Sequence, residues 1–212
     1  MRARCRRLAI ALAVLTLAAC SAGEPTPGPA PGSAPGSAQP SRTPAAQPTT
    51  LATYETDGVA VSRSPFCDRV SPTGIEHALG DAARSHRDYG NGDALRLPDG
   101  SRSIAHEYGC VWTGPGGVTA RAWVFAPPVA RDRAGDLVDG ALTGPCQRAG
   151  AGDFGTPSVA ARCPTEDGVE HSWRGLFGDA WLVCSVSGRG PSGELEERAS
   201  EWCVAVLEAA RA

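Results

Sequence analysis

Hydrophobicity changes character three times along the chain. Arg2, Arg4, Arg6 and Arg7 precede an apolar run of 12 residues, Leu8 to Ala19 (LAIALAVLTLAA). That run is too short for a transmembrane helix, which needs about 20 residues, and has the length of a signal-peptide h-region. Residues 21–50 carry no Val, Ile, Leu, Met, Phe, Trp or Tyr, but 8 Pro, 6 Ala, 4 Gly, 4 Ser and 4 Thr. Such a segment buries too little to offset the entropy of ordering. It predicts a disordered stalk, reaching about 90 Å if extended as polyproline II. Beyond residue 51 apolar positions recur with helical or strand periods, and all five Trp and all four Phe lie there.

Within that last region, Ser71-Pro72-Thr73 predicts a helix start, with Ile75, Ala78 and Leu79 on one face and Gly80 as the stop. Residues 81–105 read as a long polar loop. Tyr108–Trp112 and Val118–Ala126 read as strands joined across Gly114-Pro115-Gly116-Gly117, ended by Pro127-Pro128. A helix is expected at about 130–142 and a short strand at Val159–Arg162. Trp173–Phe177 and Ala180–Val186 flank Gly178-Asp179, a two-residue loop suited to a type II′ turn. Leu195, Ala199, Trp202, Cys203 and Val206 then follow at helical spacing, with Ser192 placed to cap the helix. The order predicts an α+β fold: an antiparallel sheet of four to five strands built from two hairpins, with helices packed on one face. The expected organisation is a signal peptide over 1–19, a lipidated Cys with its stalk over 20–50, and one domain over 51–212.

Leu17-Ala18-Ala19-Cys20 resembles the lipobox of bacterial lipoproteins. Small residues before the cut fit a narrow peptidase cleft, and the Cys20 thiol is the nucleophile that carries the diacylglycerol. The alternatives are a plain secretory signal or an uncleaved anchor. Arg6-Arg7 leaves Sec and twin-arginine export both open. Two acyl chains anchor stably where one would be marginal. Cleavage leaves 16 Arg against 23 acidic residues, so the lipid and not the surface charge would hold the protein to an anionic bilayer.

Six cysteines remain: Cys67, Cys110, Cys146, Cys163, Cys184 and Cys203. They show no C-x-x-C spacing. In an exported chain an even number reads as disulfides, with 15 pairings open for six. Chain order suggests Cys67–Cys110, Cys146–Cys163 and Cys184–Cys203.

Pro65-Phe66-Cys67, the Thr73–Gly80 helix ending in Ala78-Leu79-Gly80, Tyr108-Gly109-Cys110-Val111-Trp112, Gly175-Leu176-Phe177-Gly178-Asp179 and Trp202-Cys203 come in an order and spacing that resembles a family of small actinobacterial lipoproteins. Their domain has no assigned function and is loosely similar to the extracytoplasmic sensor domains of some actinobacterial Ser/Thr kinases. The resemblance covers roughly residues 60–210. It implies an α+β disulfide domain on the outer face of the cell membrane, with no catalytic residues to carry over. Cys146 and Cys163 are additional to the family's pattern.

Composition narrows the chemistry. All 20 basic residues are Arg, so chemistry that needs a lysine amine is excluded, and a net charge of -3 argues against nucleic-acid binding. His77, His106 and His171 each neighbour a Glu and His86 does not; H-E-x-x-H is missing, and adjacent strand residues face opposite ways, so a metal site is not expected. Gly190-Pro191-Ser192-Gly193 approaches a hydrolase elbow in composition only. Asp88, Asn91, Asp93 and Asp99 lack EF-hand spacing and read as turns. No cofactor is expected. Trp123 and Phe125 share a strand face opposite Val118, Ala120, Ala122 and Val124. They are the candidate aromatic platform for a partner protein or an envelope glycan, the plainer reading being that they fill the core.

The expectation is a non-enzymatic binding or sensor-like module, lipid-anchored on the outer face of the cytoplasmic membrane. A purely structural lipoprotein is the alternative, followed by an envelope hydrolase or ligand carrier. Mass spectrometry of the native product should find an acylated Cys20 as the N-terminus; a product still bearing residues 1–19 contradicts this.

Overall fold

The computed structural model describes residues 49–96 and 100–212. The signal segment, Cys20, the stalk through residue 48 and Asp99 lie outside the described residues. Nine strands occur in the described part: β1 (Ser85–Tyr89), β2 (Ala94–Arg96), β3 (Arg102–Ile104), β4 (Glu107–Thr113), β5 (Thr119–Phe125), β6 (Gln147–Arg148), β7 (Ser158–Thr165), β8 (Gly168–Phe177) and β9 (Ala180–Gly188). Helices α1 (Pro72–Leu79), α2 (Arg131–Gly140) and α3 (Ser192–Ala210) complete the fold. Seven strands form one antiparallel sheet in the order β1-β4-β5-β9-β8-β7-β6, and β2 pairs with β3 in a separate ribbon.

Local chemistry explains the elements. Ser71 caps α1 by accepting from the Gly74 amide at 3.1 Å, Pro72 opens the helix, and Gly80 closes it at φ 73°. Gly178, at φ 65°, turns β8 into β9 with Phe177 opposite Ala180, and Asp179 stays at negative φ as a type II′ turn requires.

The pleat divides the side chains of the central strands. Ala120, Ala122 and Val124 of β5, Leu182, Cys184 and Val186 of β9, and His171 and Trp173 of β8 share one face through their register. α1 and α3 cover that face. α3 buries Leu195, Ala199, Trp202, Cys203, Val206 and Leu207 against it. Trp202 meets Trp112 edge-on, ring centroids 5.3 Å apart, and its indole N–H donates to the Arg121 carbonyl at 2.8 Å. A buried indole is stable here because its one donor is satisfied. The stretch before α1 packs on α3: the Leu51 amide donates to Ser200 Oγ at 2.9 Å, and the Ser62 amide to the Ala210 carbonyl at 2.8 Å.

The three disulfides are Cys67–Cys110, Cys146–Cys163 and Cys184–Cys203, as chain order suggests, with Cα separations of 5.9, 4.2 and 5.4 Å. The third ties α3 to β9.

Three expectations need correction. The main sheet has seven strands, not four to five. The polar stretch 81–105 supplies β1 and the β2–β3 ribbon; its strands are largely exposed, so no apolar alternation marks them. Nor do the helices share one face: α2 packs on the opposite one, Ala134, Leu137 and Val138 meeting Leu176, Trp181 and Val183. In addition, Ser192 is the first residue of α3 and its side chain makes no cap, because it is engaged elsewhere.

Trp202→Ala should cost about 3–5 kcal/mol, the usual range for emptying a buried aromatic site. Urea denaturation of the oxidised protein measures it, and a loss under about 1 kcal/mol would contradict the packing described.

Candidate ligand-binding site

α2 covers only part of its face of the sheet. It packs on β7 and β8, while the β1-β4-β5 portion of that face opens into a trough of about 590 Å³, walled on one side by Leu95 and Arg96 of the β2–β3 ribbon. Register assigns the floor. Arg87, Val111 and Arg121 lie in one cross-strand row, Tyr89, Gly109 and Trp123 in the next, and Glu107 and Phe125 in the third.

Gly109 shapes the floor. A Cβ there would stand 2.5 Å from the Tyr89 ring and 3.0 Å from the Trp123 Cβ, so the missing side chain is what lets the Tyr89 ring fold down beside Trp123. The Tyr89 hydroxyl donates to Glu107 Oε1 at 3.0 Å. Burial, and then the Glu107 charge beside it, push the phenol well above its usual range, so Tyr89 is a donor at any physiological pH.

The rim is cationic. Arg87, Arg96 and Arg121 are exposed, and none forms an ion pair or side-chain hydrogen bond among the described residues. Arg63, Arg133, Arg174, Arg189, Arg198 and Arg211 each have a carboxylate within 4.0 Å. Three guanidinium groups against one carboxylate, Glu107, give the trough a net positive charge in a chain of net charge -3. An apolar recess of about 540 Å³ adjoins the trough, sharing Leu95 and Glu107 and adding Ile104, Phe125 and Pro127. Ile104, 51% exposed, is the one large apolar side chain left exposed among the described residues.

Trp123 and Phe125 therefore do share a face, with Ala120, Ala122 and Val124 fully buried on the other. Both are half-buried, packed against the α2 cluster while lining the trough and the recess. Sequence reasoning missed Arg87, Tyr89, Glu107 and Arg121. Arg121 was available from the same alternation, two residues before Trp123. Arg87 and Tyr89 were hidden in the stretch read as loop.

The remaining candidates disperse. His77 of α1 faces Glu201 at 3.3 Å, His86 of β1 stacks on Trp112 at 4.5 Å, and His106 is exposed beside the recess. Among the described residues no group of three or more His, Cys, Asp or Glu is arranged to hold a metal ion. Asp93 spends its carboxylate on the Gly90 amide at 2.7 Å, within the turn.

One constellation looks like hydrolytic machinery. Ser192 Oγ lies 3.0 Å from His171 Nε2, and His171 Nδ1 lies 3.8 Å from Glu196 Oε2. Its chemistry is that of a clasp. His171 is 1% exposed, the Glu196 distance exceeds a hydrogen bond, and Arg162 Nε donates to Ser192 Oγ at 3.0 Å, drawing electron density from the oxygen a nucleophile would use. Together Arg162 of β7, His171 of β8 and Ser192 seat the start of α3.

No protein-family model matches the chain, and no curated protein matches it.

Burial holds the His171 pKa below its usual 6.5, Glu196 opposing this and Arg162 adding to it. The unfolded chain thus binds the proton more readily, and the stability contributed by neutral His171 is lost as pH falls through about 6.5 and below. The melting temperature should drop between pH 7.5 and 5, and His171→Gln should lose less over that interval than the parent. Equal losses would contradict the clasp.

Proposed function

We propose that the chain is an extracytoplasmic lipoprotein, anchored through acylated Cys20 on the outer face of the cytoplasmic membrane, whose domain is a non-catalytic, sensor-like ligand-binding module of the cell envelope. Support for export comes from the lipobox-like Leu17–Cys20 and from three closed disulfides, which persist in oxidising compartments. Among the described residues no helix is long and apolar enough to cross a membrane, so in this reading the lipid is the anchor. On the same reading the domain is related to the small actinobacterial lipoproteins that its motifs resemble.

The observation that carries the binding role is the trough. It falls in the size range of ligand sites, and combines an aromatic floor, a carboxylate acceptor held by the Tyr89 hydroxyl, and guanidinium groups without an ion pair. Sheet residues hold all of these except Leu95 and Arg96, so the site is largely preformed. Trp123 is part of it, and Phe125 lines the recess beside it.

Titrating the isotope-labelled chain with a solubilised envelope fraction should shift backbone amides around Arg87, Tyr89, Glu107, Val111 and Arg121, and Trp123→Ala should erase those shifts. Perturbation confined to the α1–α3 side, or none, would contradict the assignment.

A further inference from the structure

We infer that the trough takes an acidic saccharide: a sugar ring bearing a carboxylate. The inference rests on the reading of the trough as a binding site and adds what the site selects. Three features have to be met by one ligand. Arg87 and Arg121 flank Val111 in one row, so their strands stand about 10 Å apart, two strand spacings. Long Arg side chains on strands at that spacing can bring their guanidinium forks to an oxyanion held between or beside them. Glu107 sits in the same trough with one oxygen taken by Tyr89 and no hydrogen bond to the other among the described residues. A carboxylate acceptor beside an anion site favours a ligand that also brings hydrogen-bond donors, such as hydroxyls. Tyr89, whose ring crosses Gly109, and Trp123 both line the trough, and aromatic side chains in a trough of this kind suit the C–H face of a pyranose.

An acidic peptide can pair with the guanidinium groups and offer backbone N–H donors to Glu107, but it brings no sugar ring to lie against Tyr89 and Trp123. A neutral sugar leaves the guanidinium groups unpaired. A glycerol-phosphate chain brings one charge per diester and a hydroxyl, but no ring to lie against Tyr89 and Trp123. A sugar carboxylate carries a single negative charge, several hydroxyls and a flat face. The volume of the trough, continued by the recess beside it, admits more than one ring.

The test is calorimetric titration of the full, oxidised chain in detergent with trigalacturonate, its fully methyl-esterified form, and a glycerol-phosphate oligomer of equal length. Trigalacturonate should bind, and esterification should weaken it at least tenfold. Raising NaCl from 50 to 500 mM should also weaken it, as expected for an exposed charge contact. The doubly substituted Arg87→Gln, Arg121→Gln chain should lose at least tenfold. Both side chains are exposed and form no ion pair or side-chain hydrogen bond among the described residues, so its melting temperature should stay within a few degrees of the parent's. Equal binding of the ester, tighter binding of the phosphate oligomer, or indifference to the Arg substitutions would overturn the inference. If trigalacturonate does not bind while the envelope fraction still shifts the trough amides, the ligand class is wrong and the site stands. If neither acts there, the binding reading falls with it.

Discussion

The alternation of β5 is the constraint on which the architecture turns. Ala120, Ala122 and Val124 are fully buried beneath α3, with Trp202 seated over that strand through its bond to the Arg121 carbonyl. A strand pleat leaves no freedom after that: Arg121, Trp123 and Phe125 must point the other way. Sliding the register by one residue would bury a guanidinium under α3 and expose the alanines. The core therefore places the candidate site, although the two are on opposite sides of the sheet.

What distinguishes the two faces is coverage. α1 and α3 cover the first, Cys184–Cys203 holds α3 down, and Arg162, His171 and Ser192 fasten its beginning. On the second, α2 shields the β7–β8 portion, and the β2–β3 ribbon walls the remainder without filling it. The residues left between carry a net positive charge, three guanidinium groups against Glu107, in an acidic chain. Arg87 and Arg121 form no ion pair or side-chain hydrogen bond among the described residues, so the fold draws little stability from them. Groups that the fold does not use are the natural place to look for function.

Much of this was legible in the sequence and some was not, for identifiable reasons. Both hairpins, the helix from Pro72 to Leu79, the last helix and the three disulfides follow from turn chemistry, periodicity and chain order. The pairing of Trp123 with Phe125 on one face followed from period two. The Ser85–Tyr89 strand did not, because an edge strand with both faces wet shows no apolar alternation, and Ser-His-Arg-Asp-Tyr reads as loop. Losing that strand hid Arg87 and Tyr89, and with them half of the trough. Gly109 was visible only as part of a motif; that its lack of a side chain accommodates a tyrosine three rows of chemistry depend on is a tertiary fact. The second helix was found, but its face was not, since short helices carry too few apolar positions to reveal which side of a sheet they cover.

The placement of the Tyr89 ring across Gly109, between Glu107 and Trp123, is the geometric fact from which the candidate site is built. Proton NMR of the oxidised chain reads it directly, because an aromatic ring packed on a glycine shifts its α protons strongly. The account predicts Gly109 α protons displaced upfield, with cross-peaks to the Tyr89 ring and from that ring to the Trp123 β protons. Gly109 α protons at ordinary strand positions, with no cross-peak to Tyr89 in a folded protein, would contradict it.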